Sequence, residues 1–105
     1  MILTAGLTPA WQQILLFDSF HEGQVNRARE AHWTASGKVF NAGIGVHSLG
    51  EPSLALATLG GPVQTQMERE LKELGVPWRS VQTESATRVC TTIVDRAAGR
   101  VTELV

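Results

Sequence analysis

Between residues 54 and 82 the spacing of apolar side chains changes twice, and that change restricts the chain to a small set of folds. Leu54, Ala55, Leu56, Ala57, Thr58 and Leu59 form a short uncharged run, the pattern of a parallel strand covered on both faces. Val63, Met67, Leu71 and Leu74 then make one apolar stripe at helical spacing over residues 63–74, with Glu68 four residues ahead of Lys72 on the exposed side. Gly75 and Pro77 stop this helix, and residues 78–82 return to a strand pattern. Strand, helix and strand in that order indicate an α/β fold built on a parallel sheet.

The flanking segments extend the same plan. Residues 2–7 are a β-prone run ended by Pro9, and residues 13–20 are a second apolar run ended by Glu22 and Gly23, so both are predicted strands. Residues 25–33 alternate loosely, with Val25, Arg27, Arg29, Ala31 and Trp33 on one side. That suits a partly exposed strand, since Asn26 and His32 are poor helix formers. Phe40, Ile44 and Leu49 fall near helical spacing, Gly50 stands at the stop position, and Gly43 with Gly45 gives this helix a bare face for close packing. Residues 88–94 read as a long strand facing residues 101–105 across the turn at 95–100, which contains Gly99. The expectation is a β-α-β-α-β core with extra antiparallel strands. Because residues 101–105 run out as a strand without a turn or cap, an incomplete chain is expected, the alternative being an edge strand of a complete small domain.

Composition narrows the function. With 105 residues, of which 43% are hydrophobic, the chain can bury one modest core. Nine basic against ten acidic residues leave a net charge of −1, which provides no footprint for nucleic acid and no polybasic patch for a membrane surface. The longest aliphatic and aromatic run, Ile14 to Phe17, is four residues, far short of a spanning helix, and no basic stretch precedes an apolar core at the N-terminus. A soluble cytoplasmic protein whose partners are small molecules or a second copy of itself is expected. Cys90 is the only cysteine, so an internal disulfide is impossible, and its strand setting suits a small buried hydrophobe. His21, His32 and His47 lack the spacing of a zinc site. Trp11, Trp33 and Trp78 suit packing positions better than stacking on a sugar.

Residues 35–43, Ala-Ser-Gly-Lys-Val-Phe-Asn-Ala-Gly, carry the most functional information. A Gly/Lys/Asn loop running into a helix gathers backbone N–H groups, an ammonium and a carboxamide at the positive end of that helix, which suits a polyhydroxylated or anionic small molecule. Taken alone, the same residues also serve as plain strand-to-helix punctuation.

The order of these features decides between the two. The chain begins Met-Ile-Leu-Thr-Ala-Gly-Leu-Thr-Pro-Ala, continues through Gly23-Gln24-Val25-Asn26-Arg27, the Ser36-Gly37-Lys38 loop and Leu59-Gly60-Gly61, and reaches Thr87-Arg88 at the head of a Thr-rich strand. That series resembles the first third of the PfkB-type (ribokinase-like) carbohydrate kinases, in particular the phosphofructokinase and tagatose-phosphate kinase branch. The resemblance implies the N-terminal part of an αβα fold with an antiparallel β lid, core segments at about 1–10 and 36–82 and lid segments at about 11–35 and 83–105. It further implies phosphoryl transfer to a hexose phosphate, pairing of the lid with a second subunit's lid, and ATP and magnesium bound beyond residue 105 with the catalytic Gly-Asp motif. On that basis this chain alone is expected to be inactive.

By the same resemblance, substrate-binding positions fall on Gln12, Gly37, Lys38, Asn41 and Arg88. Arg88 matches an arginine that reaches the substrate's phosphate, although its place at a strand end equally suits a solvated arginine. Asn26 and Arg27 match a lid segment near the sugar, and Gly60 with Gly61 is expected to make a strand-to-helix turn. Gln12 stands where the family carries an aspartate for two sugar hydroxyls; a glutamine has no charge, so hydroxyl binding would be weaker and differently oriented. Ser36 and Val39 replace glycines of the family loop, and the β-branched Val39 is expected to exclude positive φ and to fill space a ligand would use. These departures keep open a second reading, a non-catalytic sugar-binding or dimerisation module.

Overall fold

The computed structural model describes all 105 residues. In chain order the elements are β1 (Ile2–Gly6), β2 (Ala10–Phe17), β3 (Glu30–Ser36), α1 (Lys38–Ser48), β4 (Ser53–Leu59), α2 (Gln64–Leu74), β5 (Trp78–Gln82), β6 (Arg88–Asp95) and β7 (Arg100–Leu104). They form a three-stranded sheet in the order β1-β4-β5 and a four-stranded sheet in the order β3-β2-β6-β7. The chain divides into two compact units, one of residues 1–11 and 34–88, the other of residues 12–33 and 89–105.

In the first unit all three strands are parallel, with Leu3 level with Leu54 and Leu56 level with Arg79. Along β4 the side chains alternate: Ser53, Ala55, Ala57 and Leu59 are buried and Leu54, Leu56 and Thr58 are half-buried. The expectation of cover on both faces is therefore corrected. Val39 and Phe40 of α1 and Met67 and Leu71 of α2 pack in one cluster with Ala55, Ala57 and Leu59, so both helices lie on the same side of the sheet. On the other side Leu3 and Val81 stay exposed.

Each helix follows its stripe with one change. In α1, Phe40 is fully buried, but Leu49 lies just past the last turn and is exposed. In α2, Met67 and Leu71 are fully buried, whereas Leu74 is exposed and Val76 takes its place in the core. The cause is the helix end: Gly75 turns left-handed at φ 69, and the Gly75 and Val76 N–H groups donate to the Lys72 and Leu71 carbonyls at 3.1 and 3.0 Å, a Schellman motif. The Glu68 carboxylate accepts from the Gln64 side chain at 2.7 Å instead of pairing with Lys72.

The second unit is antiparallel where β6 meets β7, with Asp95 opposite Arg100 and Thr91 opposite Leu104. Its hairpin turn is tied by Asp95, whose side chain accepts from the Ala98 N–H at 3.1 Å, and Gly99 takes φ 62. Two predicted strands shift. β2 runs from Ala10 to Phe17 instead of over 13–20, since Asp18 and Ser19 are turn formers. Residues 25–29 lie outside β3 because the Asn26 side chain bonds the backbone of residues 21 and 24, offering that segment an alternative to a sheet ladder. Cys90 and Phe17 are the buried hydrophobes of this unit, and Phe20 packs on Phe17 with ring centroids 5.3 Å apart.

Gly43 and Gly45 do not share a face. A Cβ on Gly43 would lie 3.0 Å from the Ala55 Cβ and 3.1 Å from the Thr4 hydroxyl, both fixed on strands, while a Cβ on Gly45 would meet nothing within 4 Å. The two glycines therefore respond oppositely. Gly45→Ala should stabilise the chain by up to about 1 kcal/mol through helix propensity. Gly43→Ala should destabilise it by about 1 to 2 kcal/mol, the overpacking exceeding the same propensity gain. Urea unfolding of the two variants checks the sign of each.

Candidate functional site

A cleft of about 370 Å³ opens in the first unit, lined by Leu7, Thr8 and Pro9 after β1, Thr58 near the end of β4, and Thr83, Ser85, Ala86, Thr87 and Arg88 after β5. It thus gathers the carboxyl ends of all three parallel strands, where ligands bind in open α/β sheets. Five of its nine lining residues carry hydroxyls and only Arg88 is charged, a lining that suits a polyol bearing an anionic group.

Its floor is set by Gly60. A Cβ there would lie 2.4 Å from both the Thr83 and Ser85 carbonyl oxygens, so only glycine lets residues 83–87 close over the end of β4. The closure is a reciprocal pair: Thr87 N–H donates to the Gly60 carbonyl at 3.0 Å, and the Thr87 hydroxyl accepts from Gly60 N–H at 3.1 Å. Gly60 and Gly61 therefore do more than turn the chain into α2. The Thr58 hydroxyl donates to the Leu7 carbonyl at 3.1 Å, and that of Thr83 to Ser85 at 3.1 Å.

Four of the five predicted binding residues lie in this unit, but only Arg88 lines the cleft; Gly37, Lys38 and Asn41 stand outside its lining. Gly37 caps α1 at φ 84 and ψ 159, a region open essentially to glycine, and a Cβ there would lie 2.7 Å from the Thr8 carbonyl oxygen and 2.9 Å from the Pro9 Cα. Arg88 donates to the same Thr8 carbonyl at 3.4 Å, a long bond that uses one of the five guanidinium donors. Thr8 thus joins Gly37 and Arg88. Asn41, in the first turn of α1, bonds through its backbone N–H to the Gly37 carbonyl at 2.9 Å and accepts from the Ser36 hydroxyl through Oδ1 at 3.1 Å, which leaves its NH2 as the group on offer. Lys38 opens the helix with its side chain exposed.

Gln12 belongs to the second unit, on β2, where its amide donates to the Thr92 hydroxyl at 2.6 Å. For Val39 the expected exclusion of positive φ holds, whereas the expected filling of the pocket is not seen at this cleft. Val39 is buried in the core against Gly6 with helical geometry, so it takes none of the cleft and leaves positive φ to Gly37 alone in this loop. Asn26 bonds its own loop. The hydroxyl residues of the cleft escape sequence reasoning, although a Gly-Gly pair at a strand end and the run Thr-Glu-Ser-Ala-Thr at 83–87 are the signals that could have found them. No group of three or more His, Cys, Asp or Glu residues is placed to hold a metal ion. No helix is long and apolar enough to cross a membrane.

A three-stranded parallel β-α-β-α-β layer and a separate four-stranded sheet in one chain match the fold of the N-terminal part of the ribokinase-like carbohydrate kinases. The chain superimposes on phosphofructokinase-2 of Escherichia coli in complex with fructose-6-phosphate with a TM-score of 0.92 at 20% identity, over 99% of this chain and 34% of that one. A protein assigned as a possible 1-phosphofructokinase of Thermotoga maritima gives a TM-score of 0.89 at 26% identity, over 99% and 34% of the two chains. A ribokinase assignment from Agrobacterium tumefaciens gives 0.83 at 18% identity, over 98% and 34%. The PfkB-type resemblance read from the sequence therefore holds in three dimensions, and the chain spans about a third of the length of these structures. No known family profile matches it.

The Gly37 geometry makes a sharp prediction. Gly37→Ala should cost about 3 kcal/mol or more, combining a glycine-only conformation with a clash against the Thr8 carbonyl. At Gly50, also at positive φ but with open space around it, alanine should cost only about 1 kcal/mol. Thermal and urea unfolding compare the two.

Proposed function

We propose that this chain is the sugar-binding and lid portion of an ATP-dependent sugar-phosphate kinase, its cleft taking a hexose phosphate such as fructose or tagatose phosphate and Arg88 pairing with the phosphate. The observation that carries the proposal is the lining of the cleft at the ends of β1, β4 and β5: five hydroxyl residues and one cation. Support comes from the phosphofructokinase-2 neighbour, whose structure is a complex with fructose-6-phosphate. In this reading the Gly37 backbone approaches the sugar, Lys38 adds a second positive charge, and Asn41 donates from its NH2 to a sugar oxygen. Gln12, with one amide N–H committed to Thr92, offers its carbonyl oxygen to a hydroxyl where a carboxylate could accept from two.

Phosphoryl transfer to a hydroxyl also needs a carboxylate base, a nucleotide and its magnesium. The residues present do not fit a magnesium–nucleotide site, since no acidic cluster is placed to hold a cation and no Walker-type loop occurs in the sequence. We therefore assign this chain recognition of the sugar and no catalytic step. The antiparallel sheet serves as the lid and pairs with a second copy, which the exposed Val89 and Leu104, on one face of the sheet, support, as does the existence of a tetrameric form of phosphofructokinase-2. A cytoplasmic location follows from this function. The second reading, a binding or dimerisation module without chemistry, draws on Gln12 already being tied to Thr92.

Calorimetric titration of the chain with fructose 6-phosphate and with fructose tests the assignment. Arg88→Ala should weaken the phosphorylated sugar by about tenfold, the lower end for a charge-assisted pair because Arg88 is exposed, and leave fructose unchanged. Equal losses for both sugars would make Arg88 a fold residue. Wild-type chain that binds neither sugar would remove the proposal altogether.

A further inference from the structure

We propose that Glu70 is a positioning residue for the loop at residues 36–41, an inference that rests on that loop being the sugar-binding one. Glu70 lies on α2, remote in sequence from the loop, yet its two carboxylate oxygens accept separately from the Thr34 hydroxyl, at 2.7 Å, and from the Ala35 backbone N–H. β3 is an edge strand, so Ala35 has no neighbouring strand on that side to take its N–H, and Ala35 is almost fully buried. Without Glu70 this donor would be left unsatisfied away from water.

The bond falls at the last residue held before the loop. Ala35 on one side and Val39 and Phe40 on the other are buried in the core, which leaves only Ser36, Gly37 and Lys38 between two fixed ends. The orientation of the peptide entering Ala35 therefore sets the direction in which Ser36 leaves the strand. Ser36 in turn bonds Asn41 Oδ1, and Gly37 rests on the Thr8 and Pro9 backbone beside the cleft. The same helix α2 starts just after Gly60 and Gly61, against which residues 83–87 close. Glu70 thus holds the Gly37–Asn41 loop in register with the helix that follows the cleft floor. It touches no candidate ligand group itself.

The test uses the 105-residue chain as Glu70→Ala, Glu70→Gln and, as a control in the same core but without a bond to the loop, Val76→Ala. Amide hydrogen exchange of residues 35–41 and the dissociation constant for fructose 6-phosphate are measured on each at a temperature where it is folded. Glu70→Ala should speed exchange at Ala35 to Asn41 by about tenfold and weaken the sugar phosphate by roughly ten- to a hundredfold, as displacement of a binding loop does. Glu70→Gln keeps one carbonyl acceptor for the Ala35 N–H and should remain within about threefold of wild type. Val76→Ala should lower stability without a local effect on the loop. Unchanged exchange at 35–41 in Glu70→Ala, or an equal effect in Val76→Ala, would overturn the proposal. Should Glu70→Ala not fold, Thr34→Val removes one of the two bonds and must still loosen residues 35–41; no change there would overturn it equally. If the wild type binds no fructose 6-phosphate, the functional reading fails, and the exchange comparison alone decides the role of Glu70.

Discussion

The approach of α1 to the parallel sheet at Gly43 is the constraint from which the candidate site follows. With no side chain at Gly43 and only a methyl group at Ala55, the helix backbone comes close to β4 and β1. Phe40, one turn earlier, then reaches full burial among Ala57, Leu59 and the α2 residues. Because burying a large aromatic side chain contributes several kcal/mol at about 25 cal/mol per Å², the first turn of α1 has one favourable depth. Gly37, immediately before that turn, is consequently held on the Thr8 and Pro9 backbone. Packing in the core thus determines where the loop's polar groups stand.

That dependence explains what was legible in the sequence. β5 has the bounds read from the sequence, Trp78 and Gln82, and the β-α-β-α-β order follows from the alternation of strand-like runs with a 3.6-residue apolar stripe. Local pattern failed where a tertiary or side-chain interaction intervened. Leu74 keeps the helical period but loses its burial to Val76, since the Schellman turn at Gly75 redirects the chain. Asn26 continues an alternation yet ends it by bonding its own loop. Val39 looked like an obstruction in a binding loop because a sequence gives no direction to a side chain; packed against Gly6, it points into the core.

The candidate cleft was only partly legible for a similar reason. Gly37 and Arg88 are recognisable by residue type, and both meet Thr8. The hydroxyl lining is not, because threonine and serine are common in loops and acquire meaning only when strand ends converge. Gly60 is the exception: an intolerance of 2.4 Å contacts with two carbonyl oxygens is a strict requirement, and it is written as a glycine pair. The cleft is accordingly specified more by what its backbone excludes than by charged side chains.

The interleaving of the two units has a kinetic side. The second unit is assembled from residues 12–33 and 89–105, so its two pieces are separated by the whole of residues 34–88. Bringing them together from an unfolded chain closes a long loop whose entropic cost no local contact offsets. Once the parallel sheet and its two helices have formed, the ends of that loop are held by β3 and β6, whose first or last residues already belong to the first unit. Part of the closure cost has by then been met in joining β1 to β4 across residues 12–33. The connectivity thus favours an order of assembly in which the α/β layer precedes the second sheet, whose two pieces it brings together.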